Sequence, residues 1–237
     1  MQAPSPAVAA VFEPLQTATT LEETVERLGT AIRIGLLGPG ARLPPERDLA
    51  DQLGIARSTL RQALTSLTES GHLTATRGRG GGTFVSSAPP LAESTRIELG
   101  AGHWRDVLDH RIAIEVGTVV LAAERRRPED LARLREHVQA MHEVTDFTAY
   151  RRADVFFHLG LAEASRSARL LAAMTDLQGQ MSELIAHIAH PAPVLARSNA
   201  QHAELVRLLG RGDGFGAARV VREHLKGTEQ VLAGLMP

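Results

Sequence analysis

Cysteine is absent from the chain, which excludes disulfides, thiolate metal sites and cysteine nucleophiles. Aromatic residues are scarce, with one Trp, one Tyr and six Phe, so stacking platforms for single-stranded nucleic acid are not expected. No apolar run approaches the length of a membrane span, and Met1-Gln2-Ala3-Pro4-Ser5-Pro6 lacks the basic head and apolar middle of a secretion signal. A soluble cytoplasmic protein with no membrane partner is therefore expected. Net charge is also small, formally −1, which argues against a surface coated in phosphate-binding groups.

The charge that is present is segregated. Seven arginines lie from Arg33 to Arg79, against only Glu46, Asp48, Asp51 and Glu69. A locally basic module inside a neutral chain fits nucleic-acid binding by one domain. With 237 residues the chain has room for that module and a second domain.

Within the basic stretch, Leu43 to Leu64 reads as two short helices joined by a tight turn. Leu49, Ala50 and Leu53 share one face of the first; Leu60, Ala63, Leu64 and Leu67 share one face of the second. Gly54 stands where a left-handed cap would end the first helix. Arg57, Ser58, Thr59 and Arg61 crowd the start of the second, away from its leucines. A recognition helix in the DNA major groove needs that arrangement: arginine grips guanine or pins a phosphate, and Ser and Thr do either. The competing reading is an ordinary solvated face. Two β-prone runs then flank Arg77-Gly78-Arg79-Gly80-Gly81-Gly82 and predict a hairpin, whose glycines admit close approach to a phosphate or minor groove. Upstream, Thr20 to Glu23 predicts a capping box. Leu21, Val25, Leu28, Ile32 and Leu36 predict a buried stripe, ended by Gly38-Pro39-Gly40. Residues 1–18 read as a flexible arm and 87–100 as a linker.

Beyond the linker, residues 101–237 show no convincing strand. Helical periodicity runs over about 103–126, 128–144, 148–164, 167–190, 195–209 and 213–235, with Pro191 and Pro193 separating two of these segments, and predicts an antiparallel bundle. Asp154 and His158 are one turn apart among strongly apolar neighbours, and polar groups pointing into an apolar layer need partners. With His202 and His224 on two later helices, a carboxylate and three imidazoles could meet, a set suited to a divalent ion such as zinc or nickel. A simple hydrogen-bonded Asp–His couple is the alternative. Arg111 shares a face with Val107, Ile114, Thr118 and Leu121, close to the core. Glu115, four residues on, offers it a simple ion-pair partner.

Taken together, Leu-Pro-x-Glu-Arg-x-Leu-Ala from Leu43, Leu-Gly-x-x-Arg-x-Thr-Leu-Arg-x-Ala-Leu from Leu53 and Gly-Arg-Gly-Gly-Gly-Thr-Phe-Val from Gly78 resemble the DNA-binding domain of GntR-family bacterial transcription regulators. The resemblance covers residues 19–86 and implies a winged helix-turn-helix with DNA contacts from Arg47, Arg57, Ser58, Thr59, Arg61, Arg77 and Gly78. Pro45 and Ala56 depart from it, standing at N-cap positions where the family often has hydroxyl residues. Such a cap contributes about 0.5–2 kcal/mol.

Asp154-x-x-x-His158-x-x-x-Ala162-x-Ala164-Ser165, His202-x-x-Leu205 and the stretch from Gly212-Asp213 to His224-Leu225 resemble the all-helical FCD ligand-binding domain of the FadR subfamily. That resemblance implies that Asp154, His158, His202 and His224 hold a metal, zinc first with nickel or manganese as alternatives, and that Arg111 holds the carboxylate of a small effector. Arg166-Ser167 departs from the frequent Gly-Asn. The fold class expected is mainly α: an N-terminal winged helix-turn-helix with a hairpin wing, then an antiparallel all-α bundle. The function expected is a homodimeric, ligand-responsive regulator, acting as a repressor on a palindromic double-stranded operator. Two rival readings are a metal-dependent hydrolase or isomerase fused to a DNA-binding domain, and a ligand-independent DNA-binding protein with a structural bundle. Against the enzyme, Glu163 lies five residues after His158, off its face, and no general base is evident.

Overall fold

Helix starts and stops set the frame in the computed structural model, which describes residues 19–78, 80–89, 103–185 and 191–233. The expected arm, most of the expected linker, Arg79, His187 and His190 lie outside the described residues. Those described fall into two units, 19–29 with 39–89 and 30–38 with 103–233.

Helix α1 (Thr20–Arg33), within which the division between the units falls, opens on a reciprocal cap one residue earlier than the sequence pattern suggests. The Thr19 amide donates to Glu22 Oε2 at 2.6 Å, and the Glu22 amide donates to Thr19 Oγ1 at 3.3 Å. Thr19/Glu22 and Thr20/Glu23 both satisfy the capping-box spacing, and the outer pair takes the role. The helix also stops before the Gly-Pro-Gly turn, because Gly35 adopts φ +79. Leu36 therefore leaves the expected stripe and is exposed.

Two helices follow, α2 (Glu46–Leu53) and α3 (Arg57–Glu69). The first buries Leu49 and Ala50; the second buries Leu60, Ala63, Leu64 and Leu67. Gly54 caps α2 at φ +67. Neither Pro45 nor Ala56 supplies a side-chain cap bond, as their chemistry requires. Strands β1 (Leu73–Thr76) and β2 (Gly82–Val85) pair antiparallel, with Leu73 opposite Val85 and Thr76 opposite Gly82. Leu73 and Val85 are the buried anchors. This is a helix-turn-helix followed by a two-stranded wing.

The second unit holds α4 (His103–Arg125), α5 (Pro128–Glu143), α6 (Phe147–Ala164), α7 (Ala168–Ile185), α8 (Ala192–Arg211) and α9 (Gly214–Ala233). Its helices α6, α7, α8 and α9 all pack on α4. Pro193 sits inside the first turn of α8, where its missing amide costs nothing, so only Pro191 stays outside the helix. Arg166 takes the left-handed φ +56 between α6 and α7, the conformation that glycine adopts most readily. Its guanidinium donates to Asp130 Oδ2 at 2.5 Å, and Asp130 also accepts from Arg133 and from the Arg127 amide at the start of α5. Leu134, Phe157, Leu161, Leu205, Leu209 and Leu225 are essentially fully buried in one apolar cluster.

Leu134→Ala removes a fully buried side chain from that cluster and is expected to destabilise the helical unit by about 2–5 kcal/mol, read as a lower unfolding free energy in urea.

Candidate metal centre and DNA interface

Asp154 and His158 project from successive turns of α6, His202 from α8 and His224 from α9. The structure brings all four together. Each of the three histidines offers a nitrogen within 4.8 Å of those of the other two. Asp154 Oδ1 lies 3.7 Å from His158 Nε2 and 3.6 Å from His202 Nε2. All four side chains are buried, His158 and His202 completely. Both ring nitrogens of His202 lack any hydrogen-bond partner. Buried polar atoms are seldom left in that state, and orphaned imidazole nitrogens facing a carboxylate and two further imidazoles are a donor set that fits a divalent ion.

Neighbouring groups orient these donors. His158 Nδ1 lies 2.7 Å from Glu115 Oε2, although the contact is not aligned as a hydrogen bond. His224 Nδ1 faces Gln201 Oε1 at 3.3 Å. Arg151 donates to Asp154 Oδ2 at 2.5 Å, leaving Oδ1 to face the imidazoles. The same guanidinium also donates to the backbone and side chain of Gln178 and to Ser182. Burial pushes His202 down to about 3 and holds His224 well below its ordinary value, so both are neutral at neutral pH with lone pairs available. For Asp154, burial acts to raise the carboxyl, but His158 and Arg151 outweigh it and the group stays ionised.

Arg111 makes the ion pair that its spacing from Glu115 allows. Its Nε donates to Glu115 Oε1 at 2.7 Å, and its Nη2 lies 3.5 Å from His158 Nε2. It also lines a cavity of about 100 Å³ that reaches Asp154 and His224. Three arginines, Arg111, Arg151 and Arg197, line this space against one carboxylate, with Tyr150, Ser198, Gln201 and Thr228 adding hydroxyl and amide groups. Phe147, Val194 and Leu195 supply apolar wall. The arrangement suits a small anion.

On the first unit, Arg57 and Ser58 are exposed at the start of α3 and Thr59 is half-buried. Arg61 is exposed but engaged: its Nε and Nη2 both donate to Glu46 Oε2, at 3.2 and 3.0 Å. Arg47 is exposed, 3.3 Å from Asp48. Arg77 and Gly78 are exposed at the wing tip, where Gly78 takes φ +98. Arg42 braces this wing, donating to the Gly81 carbonyl at 2.7 Å and lying over the Phe84 ring.

Sequence reasoning did not find the contacts of Glu115 and Gln201 with the histidine rings, nor the clamp of Arg151 on Asp154. Only the last carried a local signal, the three-residue spacing on one helix.

Comparison with known proteins agrees with this architecture. Residues 20–85 match the pattern described as "Bacterial regulatory proteins, gntR family", and residues 106–227 match the FCD domain. The chain is 34% identical to the HTH-type transcriptional regulator RmpR of Mycobacterium gastri, over 95% of this chain and 85% of that protein. It is 33% identical to an L-lactate dehydrogenase operon regulatory protein of Escherichia coli K12, over 86% of this chain and 83% of that one. Among solved structures, E. coli McbR/YncC shares the fold with a TM-score of 0.59 at 21% identity, covering 93% of this chain and all of that one.

The metal-free protein is expected to lose stability on acidification. His202 and His224 have depressed values in the fold, so below about pH 6.5 the unfolded chain binds protons that the fold refuses. Each imidazole then removes up to about 1.4 kcal/mol per pH unit. Urea unfolding in chelator at pH 7.5 and 5.0 measures this, and His202→Asn should flatten the slope.

Proposed function

The chain belongs to the GntR family of bacterial transcription regulators and carries its FCD domain, and from that premise we propose that it is a metal-assisted sensor of a small carboxylate that represses transcription. The family is one of regulators rather than enzymes. The observation that carries the sensing half is the convergence of Asp154, His158, His202 and His224 beside an arginine-lined cavity. Those four residues would hold the ion, zinc before nickel or manganese, because neutral imidazoles and one carboxylate suit a borderline cation. Once bound, the metal supplies a Lewis-acidic contact for a carboxylate. Arg111 turns a guanidinium edge to the same space and grips the anion through charge-assisted hydrogen bonds. The small cavity favours an acid of few heavy atoms. The E. coli relative is named for an L-lactate dehydrogenase operon, and lactate is an acid of that size and class.

The DNA-binding half rests on Arg57, Ser58, Thr59 and Arg61 at the start of α3, with Arg47 beside them and Arg77 and Gly78 on the wing. Two copies of the chain related by a twofold axis would place two such helices on a pseudo-palindromic operator in the cytoplasm. Carboxylate binding lowers operator affinity by favouring a different arrangement of the protein, and operator binding must weaken carboxylate affinity by the same factor.

Mobility-shift titrations against promoter fragments are expected to show Arg57→Ala and Arg61→Ala each weakening binding by about 1–3 kcal/mol. Affinity unchanged in both variants at modest salt would refute the interface. In a thermal-unfolding assay, chelator is expected to lower the midpoint and Zn²⁺ to restore it, with roughly 2.7 kcal/mol of stabilisation at one hundred times the dissociation constant. His202→Ala is expected to abolish the response.

A further inference from the structure

Glu115 is fully buried, yet it is not among the residues that line the cavity. It lies behind the centre, out of reach of a ligand in that space. Each of its oxygens has a separate neighbour: Oε1 accepts from Arg111 Nε at 2.7 Å, and Oε2 lies 2.7 Å from His158 Nδ1. On the other side of the same imidazole, Arg111 Nη2 stands 3.5 Å from Nε2. Two neighbours therefore ask for one tautomer. A carboxylate 2.7 Å from Nδ1 favours a proton there, even though the contact is not aligned as a hydrogen bond, and a guanidinium 3.5 Å from Nε2 favours a lone pair there. Asp154 Oδ1 lies 3.7 Å from the same Nε2 and 3.6 Å from His202 Nε2, and a carboxylate beside an imidazole lone pair needs a cation between them, which a ligated ion would supply.

We propose that Glu115 is a positioning residue for the centre, one buried carboxylate that fixes the His158 tautomer for metal ligation and at the same time sets the orientation of Arg111 toward the cavity. It touches neither metal nor carboxylate ligand and acts only through these two side chains. Carboxylates behind ligating histidines raise ligand basicity and fix the ring, and their loss typically weakens metal affinity roughly 10–100-fold. Here the same group also holds the guanidinium by its Nε edge, so only the far end of Arg111 is left to engage an anion. The assignment rests on the metal reading above.

Zinc titrations against a competing chelator test it, on the full chain with Zn²⁺ as the probe. Glu115→Gln keeps the side-chain volume and a neutral acceptor but removes the charge, and is expected to bind Zn²⁺ roughly 10–100-fold more weakly. Because that variant leaves the buried Arg111 cation without its counter-charge, Arg111→Met/Glu115→Gln provides a second background, expected to show a loss in the same range. Nitrogen-15 NMR of metal-free wild type is expected to place the His158 proton on Nδ1, and the variants are expected to show mixed tautomers. Wild-type zinc affinity in either folded variant, or a wild-type proton on Nε2, would overturn the assignment while leaving the metal reading intact. Failure of the wild type itself to take up Zn²⁺ would overturn the metal reading and this inference with it.

Discussion

Charges taken out of water must be neutralised by their neighbours, and that constraint organises the helical unit. Arg111, Glu115, Asp154 and Arg151 are all buried or nearly so, and each cation has a carboxylate within 2.7 Å. The pairing runs from α4 through Glu115 to His158 on α6, and from Asp154 through Arg151 to Gln178 and Ser182 on α7. Removing one member strands its partner in a low-dielectric interior, so the side chains are held in fixed positions. A binding centre gains from that rigidity, because its donors need no reorganisation when a ligand arrives. Burial also keeps His202 and His224 neutral, which is the state that ligation demands.

How much of this was legible in the sequence follows the range of the interactions. The helix-turn-helix is written in local spacing. Leu49 and Ala50, then Leu60, Ala63, Leu64 and Leu67, recur at helical intervals, and Gly54 marks the turn with a left-handed cap that the structure reproduces. Where local rules are degenerate they misplace details. Two overlapping Thr-x-x-Glu pairs compete for the cap of α1, and Gly35 stops that helix before Leu36 can join its face. The polar centre is different in kind. Asp154 and His158 announce themselves by a four-residue spacing, whereas the placement of His202 and His224 on later helices allows them to meet the pair without requiring it, and family likeness singled that grouping out. Glu115 shows the limit most clearly. Its contact with Arg111 is local and was foreseeable as an ion pair, whereas its contact with His158 joins different helices and leaves no trace in periodicity.

Arg166 shows a departure from family pattern absorbed by packing. A non-glycine residue in the left-handed region carries backbone strain of about 1–3 kcal/mol. Here the side chain that causes the strain also donates to Asp130, the residue that caps α5. A glycine at this position would relax the backbone and lose the link between the α6–α7 turn and the start of α5. The two effects oppose each other, which accounts for the tolerance of arginine at a position where its conformation is unfavourable.

Arginine serves both halves of the protein, but in two dielectric regimes. On α3 and the wing, Arg57 and Arg77 are exposed. The attraction of such exposed guanidinium groups to phosphate is screened within about 8 Å at physiological salt, and binding through groups of this kind weakens steeply as salt rises. Exposed charges of this kind suit a surface that must find, slide along and leave a long polyanion. In the helical unit, Arg111 and Arg151 are shielded from solvent and already paired. An anion entering there meets a guanidinium in a weakly screened setting, but it must be small and correctly shaped to share that guanidinium with Glu115 or Asp154. Exposure thus gives range with little selectivity, and burial gives selectivity with little range. Glu46 falls between the two, since it holds Arg61 by two donors at the surface and narrows the orientations that one exposed arginine offers. The same functional group therefore stands in two settings, exposed at the surface in one unit and buried beside carboxylates in the other, and what surrounds it sets how selectively it can hold an anion.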